Sequence, residues 1–259
     1  MPLQLRWRKV FKIKEVAKKF PFKYEESMNT VVVQECLRYN KLLEVMHKSL
    51  KEIGKALKGL VVMSVELDAM GTAMFNQKIP DMWEAKAYPS LKPLSAWTTE
   101  LVQRLDFVSA WVADGAPPVF WISGFFFPQA FLTGTLQNFA RKYQLPIDSV
   151  SFDFRLDNVR EAADITDAAE DGCYIHGLFL EGARWDFENA CLAEPLPMEL
   201  FCAMPIVHFK PVENKKKASK GWYACPLYLY PVRTGTRERP SYMATVDLKG
   251  GAMSSDYWV

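Results

Sequence analysis

The sequence predicts an α+β chain, an N-terminal helical bundle or hairpin followed by a small antiparallel β-barrel. Three observations carry this. Apolar residues recur at helical spacing from Asn29 to about Tyr143. After Pro146 they recur at every second position. Short strand-like runs then alternate with turn-rich stretches. The corresponding divisions are a basic leader over residues 1–20, a helical module over 21–147 and a β module over 148–259.

The strongest helical pattern begins at Asn29. Cys36, Tyr39, Leu43, Met46, Leu50, Ile53, Leu57 and Leu60 alternate spacings of three and four, which draws one apolar seam down a helix. Leu42 and Val45 widen that seam beyond a coiled-coil stripe and favour a bundle. Ser27 or Asn29 is the expected N-cap, with Glu25 and Glu26 near the positive end of the helix dipole. A second helix spans about Leu60 to Phe75, with Met63, Leu67, Met70 and Met74 on one face. A third spans about Ser95 to Ala113, burying Trp97, Leu101, Leu105, Val108 and Trp111, and stops at the Gly115–Pro118 stretch. The apolar run Val119–Phe139 reads as a buried core helix rather than a membrane span, because Pro128, Gln129, Gln137 and Asn138 interrupt it. Pro128 fits the first turn of a fourth helix that reaches about Tyr143.

Beyond Pro146, Val150, Phe152, Phe154 and Leu156 alternate with Ser151, Asp153 and Arg155, as in a half-buried strand. Further strands are expected over 173–180, 205–210, 222–230 and 242–248, which favours a barrel or sandwich. The final Tyr257-Trp258-Val259 is β-favouring and apolar to its last residue. That reads as a barrel short of its closing strand, with an open edge beside 242–248.

Composition is that of a globular protein, with 49 % hydrophobic and 24 % charged residues, and a net charge of +2 gives no global pull toward nucleic acid or membrane. Five scattered cysteines favour free thiols over a disulfide framework. Chemistry is looked for and not found. Gly54–Gly59 and Gly177–Gly182 have the glycine spacing of a phosphate loop, but neither is followed by the Lys-Ser/Thr pair that contacts phosphate and magnesium. Cys173 and His176 are three apart in a predicted strand, on opposite faces, and cannot easily share a metal. Ser123 lacks the leading glycine of a nucleophile elbow, and His47, His176 and His208 read as structural. No catalytic, cofactor-binding or metal-binding residue is assigned, and no cofactor.

Between Arg6 and Lys23 there are eight basic residues against one acid, Glu15. Ile13, Val16, Ala17 and Phe20 form an apolar stripe with Lys12, Lys14, Lys18 and Lys19 around it. A free-standing adaptor docking through this stretch onto an acidic surface is one reading. A short solvated helix packing its stripe on the bundle is the other.

Several longer segments go further. They are Phe22–Thr30, Tyr88–Leu94, Val119–Phe127 and Tyr174–Asp186, supported by Leu136–Tyr143 and Tyr223–Leu227. In order and composition they resemble the C-terminal region of dynein heavy chains, the axonemal ones above all. The stretches Met204–Phe209 and Asp247–Met253 resemble most an inner-arm heavy chain of the two-headed type. The resemblance covers nearly everything from Phe20 onward. The stretch before Phe20 does not match the family pattern well.

The resemblance implies helices continuing from the last AAA+ module, then a compact barrel on one face of the motor ring. Nucleotide sites and the microtubule-binding stalk lie elsewhere in that family. The implied role is non-catalytic bracing of the ring and modulation of ciliary or flagellar motility. Implied partners are the AAA+ modules of the same heavy chain and other dynein subunits, with microtubules reached only indirectly and no nucleic acid or membrane. The implied location is the cytoskeleton of the axoneme. Within the Tyr174–Asp186 motif, His176 and Arg184 are expected to be structural, with Arg184 or Trp185 bridging the barrel to the helices. An unrecognised pocket near those two residues is the residual enzymatic alternative.

Overall fold

The computed structural model describes residues 10–156, 158–215, 220–229 and 242–251. The chain divides into two compact units. One comprises the described residues up to Gly115 together with Gly124–Phe127. The other comprises Ala116–Ser123 and the described residues from Pro128 onward.

The first unit is helical, with α1 Ile13–Lys19, α2 Ser27–Ala56, α3 Val65–Phe75, α4 Asp81–Glu84 and α5 Leu94–Asp114. On α2 the predicted seam is buried at Cys36, Tyr39, Leu43, Met46 and Ile53 and half-buried at Leu50, while Leu57 and Leu60 are exposed. The α2 N-cap is Glu26 rather than Ser27 or Asn29, and the Asn29 side-chain amide donates to Glu26 Oε2 and the Pro21 carbonyl. Every residue of the predicted α5 stripe, from Trp97 to Trp111, is buried. The second predicted helix starts later than expected, at Val65, because Ser64 caps it by accepting from the Leu67 amide at 3.3 Å.

The second unit opens with a correction. The run Val119–Phe139 is not one helix. Val119–Trp121 forms strand β1, a 3-10 turn follows over Ile122–Gly124, and helix α6 begins at Pro128 and ends at Lys142. The β-favouring Val-Phe-Trp triplet is drawn into a sheet, and Pro128 starts a helix better than it continues one.

The strands are β2 Val150–Leu156, β3 Cys173–His176, β4 Phe179–Glu181, β5 Arg184–Asp186, β6 Cys191–Ala193, β7 Phe201–Ala203, β8 Val207–Glu213, β9 Trp222–Tyr228 and β10 Tyr242–Lys249. They form two open four-stranded sheets, ordered β1-β3-β8-β2 and β10-β9-β4-β7, and a two-stranded ribbon β5-β6. Among the described residues there is no closed barrel, and β1 pairs parallel with β3, so the antiparallel-barrel expectation is corrected on both counts.

Gly177 gives the physical reason. Its φ of 83° interrupts the strand predicted over 173–180, so β3 joins the first sheet and β4 the second. A Cβ there would lie 2.8 Å from the Trp121 ring, so only glycine lets β1 and β3 approach. The strand β10 is an edge of its sheet among the described residues. The terminal Tyr257-Trp258-Val259, on which the missing-strand expectation rests, lies outside them.

Candidate functional site: a buried clasp on residues 124–127

Within the helical unit, Gly124 closes the 3-10 turn and Phe125-Phe126-Phe127 runs without regular structure, with Phe125 buried and Phe127 exposed. Backbone groups withdrawn from water in such a segment need partners. Three side chains supply these. The Tyr39 hydroxyl donates to the Gly124 carbonyl at 2.7 Å. Arg104 Nη1 donates to the Phe125 carbonyl at 3.0 Å. The Glu35 carboxylate accepts from the Phe126 amide and, at 3.2 Å, from the Phe127 amide. Glu35 and Tyr39 sit on successive turns of α2, and Arg104 comes from α5.

A second layer holds these three in place. Arg38 Nη1 donates to Glu35 at 3.1 Å. Arg104 Nε and Nη2 both donate to Glu100 Oε1, at 3.2 and 2.7 Å, and Lys92 Nζ lies 2.8 Å from Glu100 Oε2. The Arg104 guanidinium sits 3.7 Å from the centroid of the Tyr88 ring, and Tyr88 stacks on Trp97 at 6.0 Å. Trp97 stacks in turn on Trp83, whose indole N–H donates to Ser49 Oγ at 2.9 Å. Edge contacts from Tyr39 and Tyr88 meet Phe126 at 5.3 and 5.9 Å.

The electrostatics follow from burial. Burial pushes the Glu35 carboxyl above its ordinary range, and the Phe126 and Phe127 amides and Arg38 offset part of that. Burial works against the charge on Arg104, but Tyr39, Tyr88 and Glu100 hold it above its ordinary value. The arrangement binds backbone. Its carboxylates and guanidinium are directed at main-chain groups and at one another, so what it does chemically is fix a loop.

Sequence reasoning places Tyr39 on the α2 seam but singles out neither Glu35, Glu100 nor Arg104, yet a signal exists. Glu100 and Arg104 are four apart on the stripe of Trp97, Leu101, Leu105 and Val108, and Glu35 stands among Val31, Val32, Cys36 and Tyr39. Charges inside an apolar stripe need partners. Two segments that carry the family resemblance, Tyr88–Leu94 and Val119–Phe127, supply residues to this one cluster.

Comparison with known proteins settles the family. The model of the C-terminal domain of the dynein heavy chain matches residues 2–259. This protein belongs to that domain family. It is 56 % identical over 225 residues to dynein axonemal heavy chain 1 of Mus musculus, covering 86 % of this chain and 5 % of the relative. It is 54 % identical over 235 residues to the Homo sapiens counterpart, covering 91 % of this chain and 5 % of the relative. To the dynein-1-beta heavy chain, flagellar inner arm I1 complex, of Chlamydomonas reinhardtii it is 50 % identical over 249 residues, covering 92 % of this chain and 6 % of the relative. The chain thus spans about one-twentieth of the length of these curated relatives.

The other residues of this dynein domain that the sequence singles out fall at separate places. His176 on β3 is half-buried, and burial pushes its imidazole below the ordinary range while Glu161 opposes the shift. Arg184 Nε donates to the Glu194 carbonyl at 2.9 Å, and the Trp185 indole N–H donates to Asn158 Oδ1 at 3.0 Å. Both bonds stay within the β part of the chain.

Cys173 is buried with its thiol pushed up to about 12, and Thr135 Oγ1 points at its sulfur from 4.0 Å. Cys173 and His176 take opposite faces of β3, as their spacing predicts. Ser123 Oγ donates to the Leu229 carbonyl at 2.8 Å, a structural bond. His208 Nε2 is 2.8 Å from the Asp171 carbonyl oxygen. All five cysteines are free. Among the described residues, no group of three or more His, Cys, Asp and Glu could hold a metal, and no helix is long and apolar enough to cross a membrane.

The basic stretch is partly described. Residues 1–9, with Arg6 among them, lie outside the described residues. Helix α1 packs on α2 with Val16 buried. Asn40 clamps the backbone of Phe11 from both sides, accepting from its amide at 2.7 Å and donating to its carbonyl at 2.8 Å. Lys19 Nζ donates to the Ala113 carbonyl at 2.6 Å. Of the stripe, Val16 is buried, Ile13 and Phe20 are half-buried and Ala17 is exposed, so it packs on its own unit through Val16, in the sense of the second reading.

Proposed function

We propose that this chain is a non-catalytic structural and regulatory domain at the C-terminal end of an axonemal dynein heavy chain. It braces the AAA+ motor ring of that chain and modulates microtubule-based motility in a cilium or flagellum. The observation that carries this is the family match across residues 2–259, joined to 50–56 % identity with axonemal heavy chains. The clasp supports it, because a domain that braces gains from loops fixed by buried, partnered polar groups rather than left mobile. ATP turnover belongs to other parts of the heavy chain, so the domain acts on the motor without a nucleotide of its own. Its partners are the ring modules and other dynein subunits, and it reaches microtubules only through them.

The test compares a heavy chain with and without this domain in microtubule gliding and ATP turnover. Removal is expected to change velocity or turnover while ATP binding elsewhere persists. Unchanged velocity and turnover, or stoichiometric MgATP binding by the domain itself, overturns the reading.

A further inference from the structure

We propose that the clasp is a tie between the two units. By holding residues 124–127 in the helical unit it keeps strand β1 seated on β3 in the sheet unit, so that a displacement of α2 or α5 is passed to that sheet. Relative motion is the default for units joined by one linker. Here the chain crosses between the units three times, after Gly115, after Ser123 and after Phe127. Strand β1 and Ile122-Ser123 belong to the sheet unit, the next four residues to the helical unit, and α6 to the sheet unit again.

These connections carry little slack. Upstream of β1, α5 ends at Asp114, and the Gly115 amide still donates to the Trp111 carbonyl at 3.0 Å. Ala116, Pro117 and Pro118 then lead directly into β1, and the two prolines fix their own φ and stiffen the link. Downstream, Gly124 closes the 3-10 turn whose Ser123 hydroxyl donates to the Leu229 carbonyl at 2.8 Å. Pro128, the residue after Phe127, is the buried first residue of α6. The clasped residues thus have anchored neighbours in the sheet unit on both sides, while Glu35, Tyr39 and Arg104 anchor them in the helical unit. Four residues span at most about 14 Å when fully extended, so neither set of anchors can shift far without opening the other.

Strand β1 is where such a tie matters. It is an edge strand, paired parallel to β3 over Val119↔Tyr174, Phe120↔Ile175 and Trp121↔His176. A parallel ladder of three residues is weak, and its strands meet across 55 positions of chain, so loop closure opposes it. Packing adds to the ladder, with the Phe120 ring 4.7 Å from that of Phe131 and the Trp121 ring against Gly177. Fixing both ends of β1 raises its effective concentration beside β3 without any new contact, and opening the clasp frees one of those ends.

Amide hydrogen exchange in the full heavy chain tests this, with two changes that loosen the tie by different means. Inserting Gly-Ser-Gly-Ser between Ser123 and Gly124 adds slack and leaves every clasp side chain in place. Exchange over Val119–Trp121 should then quicken about tenfold or more, while Phe126 and Phe127 stay as slow as in wild type. Glu35→Ala, which opens the clasp itself, should quicken Val119–Trp121 by a similar factor. Made in the inserted chain, it should add little at β1, because the two changes remove the same tie. The pair β9–β10 in the other sheet should keep its wild-type rate in all three variants. Exchange at β1 that neither change moves overturns the proposal. Effects of the two changes that multiply rather than saturate overturn it as well, since clasp and connection would then act independently. Quickening that reaches β9–β10 to the same extent is general unfolding and also overturns it.

Discussion

In the helical unit three charged side chains, Glu35, Glu100 and Arg104, are almost wholly buried, whereas in the sheet unit the buried polar side chains among the described residues are the neutral Ser123 and Thr135. The charged contacts of the sheet unit lie nearer water. Lys142 Nζ reaches Asp171 at 2.7 Å and Tyr143 donates its hydroxyl to the same carboxylate at 2.8 Å, but Lys142 is half exposed. The difference is one of stakes. A buried charge that loses its partner is left uncompensated in a poorly polarisable medium, while an exposed one turns to water. The helical unit should therefore be the more easily broken by a single polar substitution.

Arg104→Met should have the largest effect. It leaves the buried Glu100 carboxylate with Lys92 alone and strands the Phe125 carbonyl, at a cost of about 3–5 kcal/mol in urea unfolding. Replacing Glu100 and Arg104 together with apolar residues of similar volume should recover much of that loss, and a double variant no better than the single would count against the pair as the cause. Glu35→Ala comes next, at about 2–3 kcal/mol, because the half-buried Phe126 amide and the Phe127 amide lose a buried acceptor.

Glu35→Gln sharpens the same point through pH. The native carboxyl sits above its ordinary 4.5, so the folded state binds the proton more readily than the unfolded one. Wild type should then lose stability relative to Glu35→Gln as pH rises from about 4.5 through the folded value, and be level with respect to pH above it. A slope of the opposite sign would mean that the amides and Arg38 outweigh burial. Tyr39→Phe removes one hydrogen bond to Gly124 and should cost about 1–2 kcal/mol.

Asp171→Asn in the sheet unit should cost least, about 1 kcal/mol or less, and the cost should shrink in high salt. Burial alone would raise this carboxyl, but Lys142 and Tyr143 hold it below its usual range. Its small contribution is therefore present at neutral pH and lost as acid is added through the folded value. An effect as large as that of Arg104→Met would erase the contrast between the units.

What is legible in the sequence divides along similar lines. Periodicity locates α5 and its whole buried stripe, because one long amphipathic helix carries many repeats of the signal. It over-extends the α2 seam, since Leu57 and Leu60 keep the spacing after the helix has left its own core. The strands β1, β5, β6 and β7 leave no such trace; each has three residues, too few for alternation to register. The break at Gly177 depends on the approach of Trp121 from 56 positions upstream, which no local pattern contains. The clasp escapes sequence reasoning for a different reason. Charge is usually solvated, so Glu35, Glu100 and Arg104 attract no notice as buried groups, although their positions lie on the apolar side of their helices.

The central claim, that buried side chains hold the backbone of residues 124–127 in the helical unit, is tested most directly by amide exchange at Phe126 and Phe127. In wild type both amides should exchange as slowly as the buried part of α2, and in Glu35→Ala they should exchange about a hundredfold faster while α2 itself slows or quickens only with global stability. Fast exchange at Phe126 and Phe127 in wild type, or rates there that Glu35→Ala leaves unchanged, would contradict it.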